Sequence, residues 1–87
     1  MNKNSREDVF GAVVSERIYQ QYRWPDDKHS NVEYLVYIQH YVNEALKVAS
    51  TSDEAGVLNA TRDALRKIAA LAVAAQEENG VLIREGW

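Results

Sequence analysis

His40 and Glu44 stand one helical turn apart, and Glu33, Tyr37, His40 and Glu44 share one side of a helix. A His/Glu pair at i, i+4 can put two ligands on one metal ion. Two ligands are not a site, and a neighbouring helix must supply oxygen donors if the ion is magnesium, which prefers carboxylates and water. Asp63 is the only acid between Thr61 and Gln76 and is the third candidate. His40, Glu44 and Asp63 are therefore the candidate ligands for Mg2+ or Mn2+. The plainer alternative is a solvated polar stripe needing no cofactor at all.

A second set of residues could meet phosphate. Arg17, Arg23, Lys28, Arg62, Arg66 and Lys67 are cationic, and Trp24 could stack on a base or simply plug the end of a bundle. Arg17, Arg23, Trp24 and Lys67 are the candidate nucleotide or phosphate contacts. His29, just before a helix cap, reads as a structural neighbour of that cap. Glycine-rich phosphate loops, an HExxH motif and a Ser/His/Asp arrangement are all missing. The absence of cysteine removes disulfides, thiolate metal sites and thiol nucleophiles.

These residues must be positioned by helices. Ser30 with Glu33 forms a capping box that opens an amphipathic helix over about 30–50. Val32, Leu35, Val36, Val42, Ala45, Leu46 and Ala49 recur at three- and four-residue spacing, predicting its inner face. Tyr34, Tyr37, Ile38 and Tyr41 make a second stripe, which the spacing assigns to an oligomer interface, where aromatics concentrate. A first helix over about 5–23 is capped by Asn4 or Ser5 and stopped before Pro25. A third, about 54–79, is capped by Ser52 or Asp53, or begins firmly only at Val57 if Gly56 delays it. It carries a seam of Leu58, Thr61, Leu65, Ile68, Ala72 and Ala75 and ends at Asn79-Gly80. Residues 81–87 form an apolar tail whose Leu82 and Ile83 could clasp a partner chain.

The 87 residues thus predict one all-α domain: a three-helix unit built on an antiparallel hairpin of the second and third helices, with the first packed across both. So short a chain with two apolar stripes on one helix predicts a homodimer or homotetramer. A net charge of −3 argues against a nucleic-acid partner. With no secretory signal and no run of about 18 apolar residues, the sequence reads as cytoplasmic, with no membrane partner.

Three segments together resemble a known family. Glu16-Arg17-Ile-Tyr-Gln20-Gln-Tyr-Arg23-Trp24 is similar to the ERxxQxx(K/R)W opening of phage and bacterial MazG-like proteins. His29-Ser30 with the helix ending Asn43-Glu44-Ala45 resembles their second segment, and Leu65 to Ala75 with Glu77 and Gly80 their third. The likeness covers roughly residues 9–84. It implies the all-α nucleoside triphosphate pyrophosphohydrolase superfamily: helical dimers or tetramers that split nucleoside triphosphates with magnesium. It also implies a phage or prophage origin, hence a host cytoplasm. That superfamily binds metal through EExxE on one helix and ExxD on the next. Laid on this chain, the first motif falls on His40, Tyr41 and Glu44, where only Glu44 is retained, and the second on Ala64 and Lys67. A lysine there opposes cation binding. The expectation is a MazG-like protein that binds a nucleotide or a host protein with its metal site largely lost. The alternatives are an active Mg-dependent pyrophosphohydrolase and a purely structural oligomer.

Overall fold

The computed structural model describes residues 3–26 and 28–86, and among them the secondary structure is three helices with no strand. They are α1 (Arg6–Arg23), α2 (Asn31–Thr51) and α3 (Glu54–Asn79). Asp27 in the polar connector and Trp87 at the end of the tail lie outside the described residues. No helix is long and apolar enough to cross a membrane.

Each helix begins where a short polar side chain can take an orphan amide. Ser5 and Asp8 form a full capping box on α1, and Ser30 and Glu33 form one on α2. Asp53 caps α3, its carboxylate accepting from the Gly56 amide at 2.8 Å. The helix is therefore continuous through Gly56. A Cβ at that position would approach the Ser52 Cβ to 2.9 Å, so the small residue fits the tight Ser52-Asp53 link. α3 ends at Gly80, whose φ of 94° lies in the left-handed region where glycine carries no Cβ penalty. Its amide donates to the Gln76 carbonyl at 3.0 Å.

The two-residue link makes α2 and α3 an antiparallel hairpin. α1 does not pack across both of its neighbours as the sequence predicted. It rests on α3 alone, and among the described residues no Cα of α1 comes within 8 Å of one of α2. α3 is thus the only common support, and a cleft opens between α1 and α2.

The inner face of α2 is also rotated relative to expectation: of the stripe assigned inward only Ala45 and Ala49 are half-buried. Tyr34 is buried, while Ile38, Tyr41 and Ala45 are half-buried on the same side. Val32, Leu35, Val36 and Leu46 are exposed. The stripe assigned to an oligomer interface therefore contains the one buried aromatic among the described residues. The physical reason is a polar one: the Tyr34 hydroxyl finds an acceptor in Glu78 on α3, which an aliphatic side chain has no use for.

The buried set among the described residues is Tyr34, Ala64, Ala70 and Ala74. Alanines let the helix backbones approach closely but bury little apolar area. The accessible surface of 7233 Å² is well above the about 5,200 Å² that a compact chain of this mass exposes. The radius of gyration, 14.5 Å, likewise exceeds the roughly 12 Å of a compact domain this long.

Candidate functional site

The cleft holds a cavity of about 510 Å³ between the end of α1, the start of α2 and the second half of α3. Trp24, Tyr37, Tyr41 and Leu71 give it aromatic and apolar walls, and Arg17, Lys28 and Glu78 bring charge to it. Trp24 is half exposed at this wall.

One end is fixed by a polar cluster at the end of α3. The Tyr34 hydroxyl donates to Glu78 Oε1 at 2.8 Å, and the His29 amide donates to Glu78 Oε2 at 3.1 Å. The Asn79 side-chain amide donates to the His29 carbonyl and to Asn31 Oδ1, at 3.0 and 3.1 Å. The His29 ring meets Tyr34 and Tyr37 edge-on, with centroids 5.4 and 5.0 Å away. Glu77 takes the Arg17 guanidinium at 2.6 Å, pinning α1 to α3. Sequence reasoning assigned Glu77 only to the family likeness and passed over Glu78. The available signal was their position, because two acids in the last turn of a helix face the negative end of its dipole. Such acids need tertiary partners, and here they have them.

Glu78 is held below its ordinary value of 4.5, first by the Tyr34 hydroxyl, against a smaller opposing effect of burial, and then by the His29 amide. A carboxylate depressed in the folded state stabilises the fold above its unfolded pKa and loses that contribution as pH falls through the folded one. Thermal midpoints read by circular dichroism should therefore decline as the solution is acidified below pH 4.5. Glu78→Gln should start from a lower midpoint and decline less steeply. An unchanged acid profile in that variant would show that the cluster does not couple to folding.

A second, shallower pocket of about 240 Å³ lies farther along the α2–α3 seam. His40, Glu44, Asp63 and Lys67 all line it, together with Tyr41 and Ala64, so every position onto which the family's two metal motifs fall converges here. Tyr41 borders both pockets. The charges are already paired off. Asp63 takes the Lys67 ammonium at 2.9 Å on one oxygen and the Arg66 guanidinium on the other. Arg66 also reaches Glu16 on α1 at 2.8 Å. Asp63 is held below its ordinary range, first by the hydrogen bond from Lys67, against burial, and then by Arg66. Lys67 is raised, first by Asp63. Among the described residues no three His, Asp or Glu side chains are grouped so that they could hold a metal ion. The donor set does not suit magnesium: the one acid from α3 is neutralised by two cations, and the ammonium would repel a divalent ion.

Of the candidate phosphate contacts, Arg17 and Trp24 share the large cavity, Lys67 belongs to the smaller pocket, and Arg23 lines neither. Arg23 is exposed at the last turn of α1, where a cation complements the helix dipole. Leu82 and Ile83 stand in solvent, Leu82 almost completely. Comparison with protein-family models, with curated proteins and with solved structures finds no match for the chain.

Proposed function

We propose that this protein is a MazG-like helical protomer, of phage or prophage type, that self-associates and binds a nucleotide without hydrolysing it. The observation that carries this reading is the Lys67 ammonium 2.9 Å from Asp63, in the pocket where His40 and Glu44 also converge. It supplies the positive charge that a metal ion would otherwise bring, fixed in place by its own counter-ion. The neighbouring cavity supports the nucleotide part. Its volume is within the range of small-molecule sites, roughly 300–1,000 Å³. Trp24 and Tyr37 bring aromatic rings on which a base could stack, and Lys28 brings a cation to the same cavity.

The convergence of His40, Glu44 and Asp63 in one pocket favours a second reading, an active pyrophosphohydrolase with a rearranged metal site. Calorimetry and pyrophosphate release separate the two, using a panel of ribo- and deoxynucleoside triphosphates with magnesium or manganese. The expected result is binding without turnover. Trp24→Ala should weaken that binding about tenfold, as loss of one base–aromatic stack does. Turnover that disappears in Glu44→Ala would establish the second reading. Failure to bind any nucleotide would leave a protein partner, or assembly alone, as the function.

A further inference from the structure

Asn79 alone among the chain's asparagines is followed by glycine. An asparagine in that setting carries its own reaction partner, because the next backbone nitrogen can attack the side-chain carbonyl carbon and close a five-membered ring. Glycine has no Cβ to block that approach. At Gly80 the space is open as well, since a Cβ built there would meet no atom within 4 Å. Asn79 is the last residue of α3, and helix ends fray. Beyond it Val81, Leu82 and Ile83 are exposed at 58, 97 and 74%, so packing does little to fix the chain on the glycine side of the bond. The other asparagines precede Lys3, Ser5, Val32, Glu44 and Ala60, and Asn43 and Asn59 lie inside helices.

The bonds that restrain this amide also hold the end of the cavity together. Asn79 Nδ2 donates to the His29 carbonyl at 3.0 Å and to Asn31 Oδ1 at 3.1 Å, so both its hydrogens tie α3 to the start of α2. The Gly80 N–H donates to the Gln76 carbonyl at 3.0 Å. Ring closure requires all three to open. The two side-chain bonds are solvent-exposed, so they open with the helix end rather than with the whole fold. We propose that Asn79 is a site of spontaneous deamidation through Gly80, and that its conversion unties α3 from the start of α2. The Gly80 nitrogen bonds to Asn79 Cγ, the Cγ–Nδ2 bond breaks, and the Gly80 proton leaves with the Nδ2 group as ammonia. Water then opens the succinimide. Its attack at Cγ leaves aspartate, and its attack at the main-chain carbonyl carbon leaves isoaspartate. Either product ends α3 in a carboxylate where an amide had donated twice. That carboxylate has no hydrogen to offer the His29 carbonyl and Asn31 Oδ1. It also joins Glu77 and Glu78 at the negative end of the helix dipole. The cavity end built from His29, Tyr34 and Glu78 therefore loosens. The change needs no enzyme and is independent of whether a nucleotide binds.

The test is peptide mass spectrometry of the full chain held in mildly alkaline buffer, folded and in urea, with aspartate and isoaspartate products separated by chromatography. Folded protein should convert first at Asn79 and give both products, the mark of a shared ring. The chain unfolded in urea should convert faster. Asn79→Gln keeps the amide but lengthens the side chain by one carbon, so the five-membered ring cannot form and the position should stay unconverted. Asn79→Asp stands for the aspartate product. Its thermal midpoint should fall by about 4–8 °C, the shift that one net hydrogen bond makes in a domain of this size. Amide exchange in the first turn of α2 should quicken about fivefold for the same loss. Conversion first at another asparagine, or an intact Asn79 in folded protein once the unfolded chain has reacted, would overturn the site. A midpoint and exchange rates equal to wild type in Asn79→Asp would overturn its role in tying α3 to α2.

Discussion

Tyr34→Ala should lose roughly 3–5 kcal/mol of stability, the range for removing a large buried ring. Tyr34 is 4% exposed, and the other buried side chains among the described residues are alanines. No second large side chain can take its place, so the hole it leaves lies between α2 and the end of α3. Native domains hold only about 5–15 kcal/mol in total, and a chain this short sits toward the low end. Most of the helical signal should therefore be lost at ambient temperature. Tyr34→Phe keeps the ring and removes only the hydroxyl that donates to Glu78. Its cost should be about 1 kcal/mol, with a further contribution if the Glu78 carboxylate is left short of a partner. Urea unfolding followed at 222 nm gives both values as shifts in midpoint. Equal shifts for the two variants would mean that the hydroxyl, and not the ring, anchors the hairpin.

The same residue marks the boundary of what the sequence made legible. Helix positions were read to within one residue: about 5–23, 30–50 and 54–79 against Arg6–Arg23, Asn31–Thr51 and Glu54–Asn79. Those limits come from local chemistry, namely the Ser5 and Ser30 boxes, the Asp53 cap, Pro25 and Gly80. Such signals act within a turn or two, so they are visible in the order of residues. Which face of α2 turns inward is a different kind of fact. Both stripes have helical period, and the choice depends on Glu78 arriving from a segment 44 residues away to accept from Tyr34. Periodicity cannot report a distant acceptor. The grouping of His40 and Glu44 with Asp63 was legible in helix spacing and the scarcity of acids, Lys67 joined it only through a family register, and the pairing of Asp63 with both Arg66 and Lys67 was not read at all.

Ala70→Leu should be the most damaging small change in α3. Ala70 is 0% exposed, the most enclosed side chain described. It lies on the side of α3 that carries Arg66 and Glu77, the two residues that hold α1. Three added carbons have no space there, and overpacking of this kind costs about 1–3 kcal/mol. The strain falls on the α1–α3 contact, so the Arg17–Glu77 and Glu16–Arg66 pairs should separate while the hairpin remains. Limited proteolysis would then cut first within α1, and the thermal midpoint would fall. A variant as stable and as protease-resistant as wild type would show that α1 can shift to absorb the added volume. Ala70→Ser, nearly the same size, serves as the reference for change of chemistry without change of bulk.

That α1 rests on α3 and, among the described residues, brings no Cα within 8 Å of α2 also fixes an order of assembly. The hairpin joins segments separated by a two-residue link, and closing so short a loop costs little entropy. The contacts of α1 span 47, 50 and 60 residues of chain, from Gln20 to Lys67, Arg66 to Glu16 and Arg17 to Glu77. During synthesis α1 leaves the ribosome ahead of its only support. It must wait, as an isolated 18-residue helix of marginal stability, until nearly all of α3 has been made. The first of the three helices to be synthesised is thus the last to dock, and for that interval the face of Val13, Glu16, Arg17 and Gln20, half-buried once α1 is docked, is open to whatever else is present.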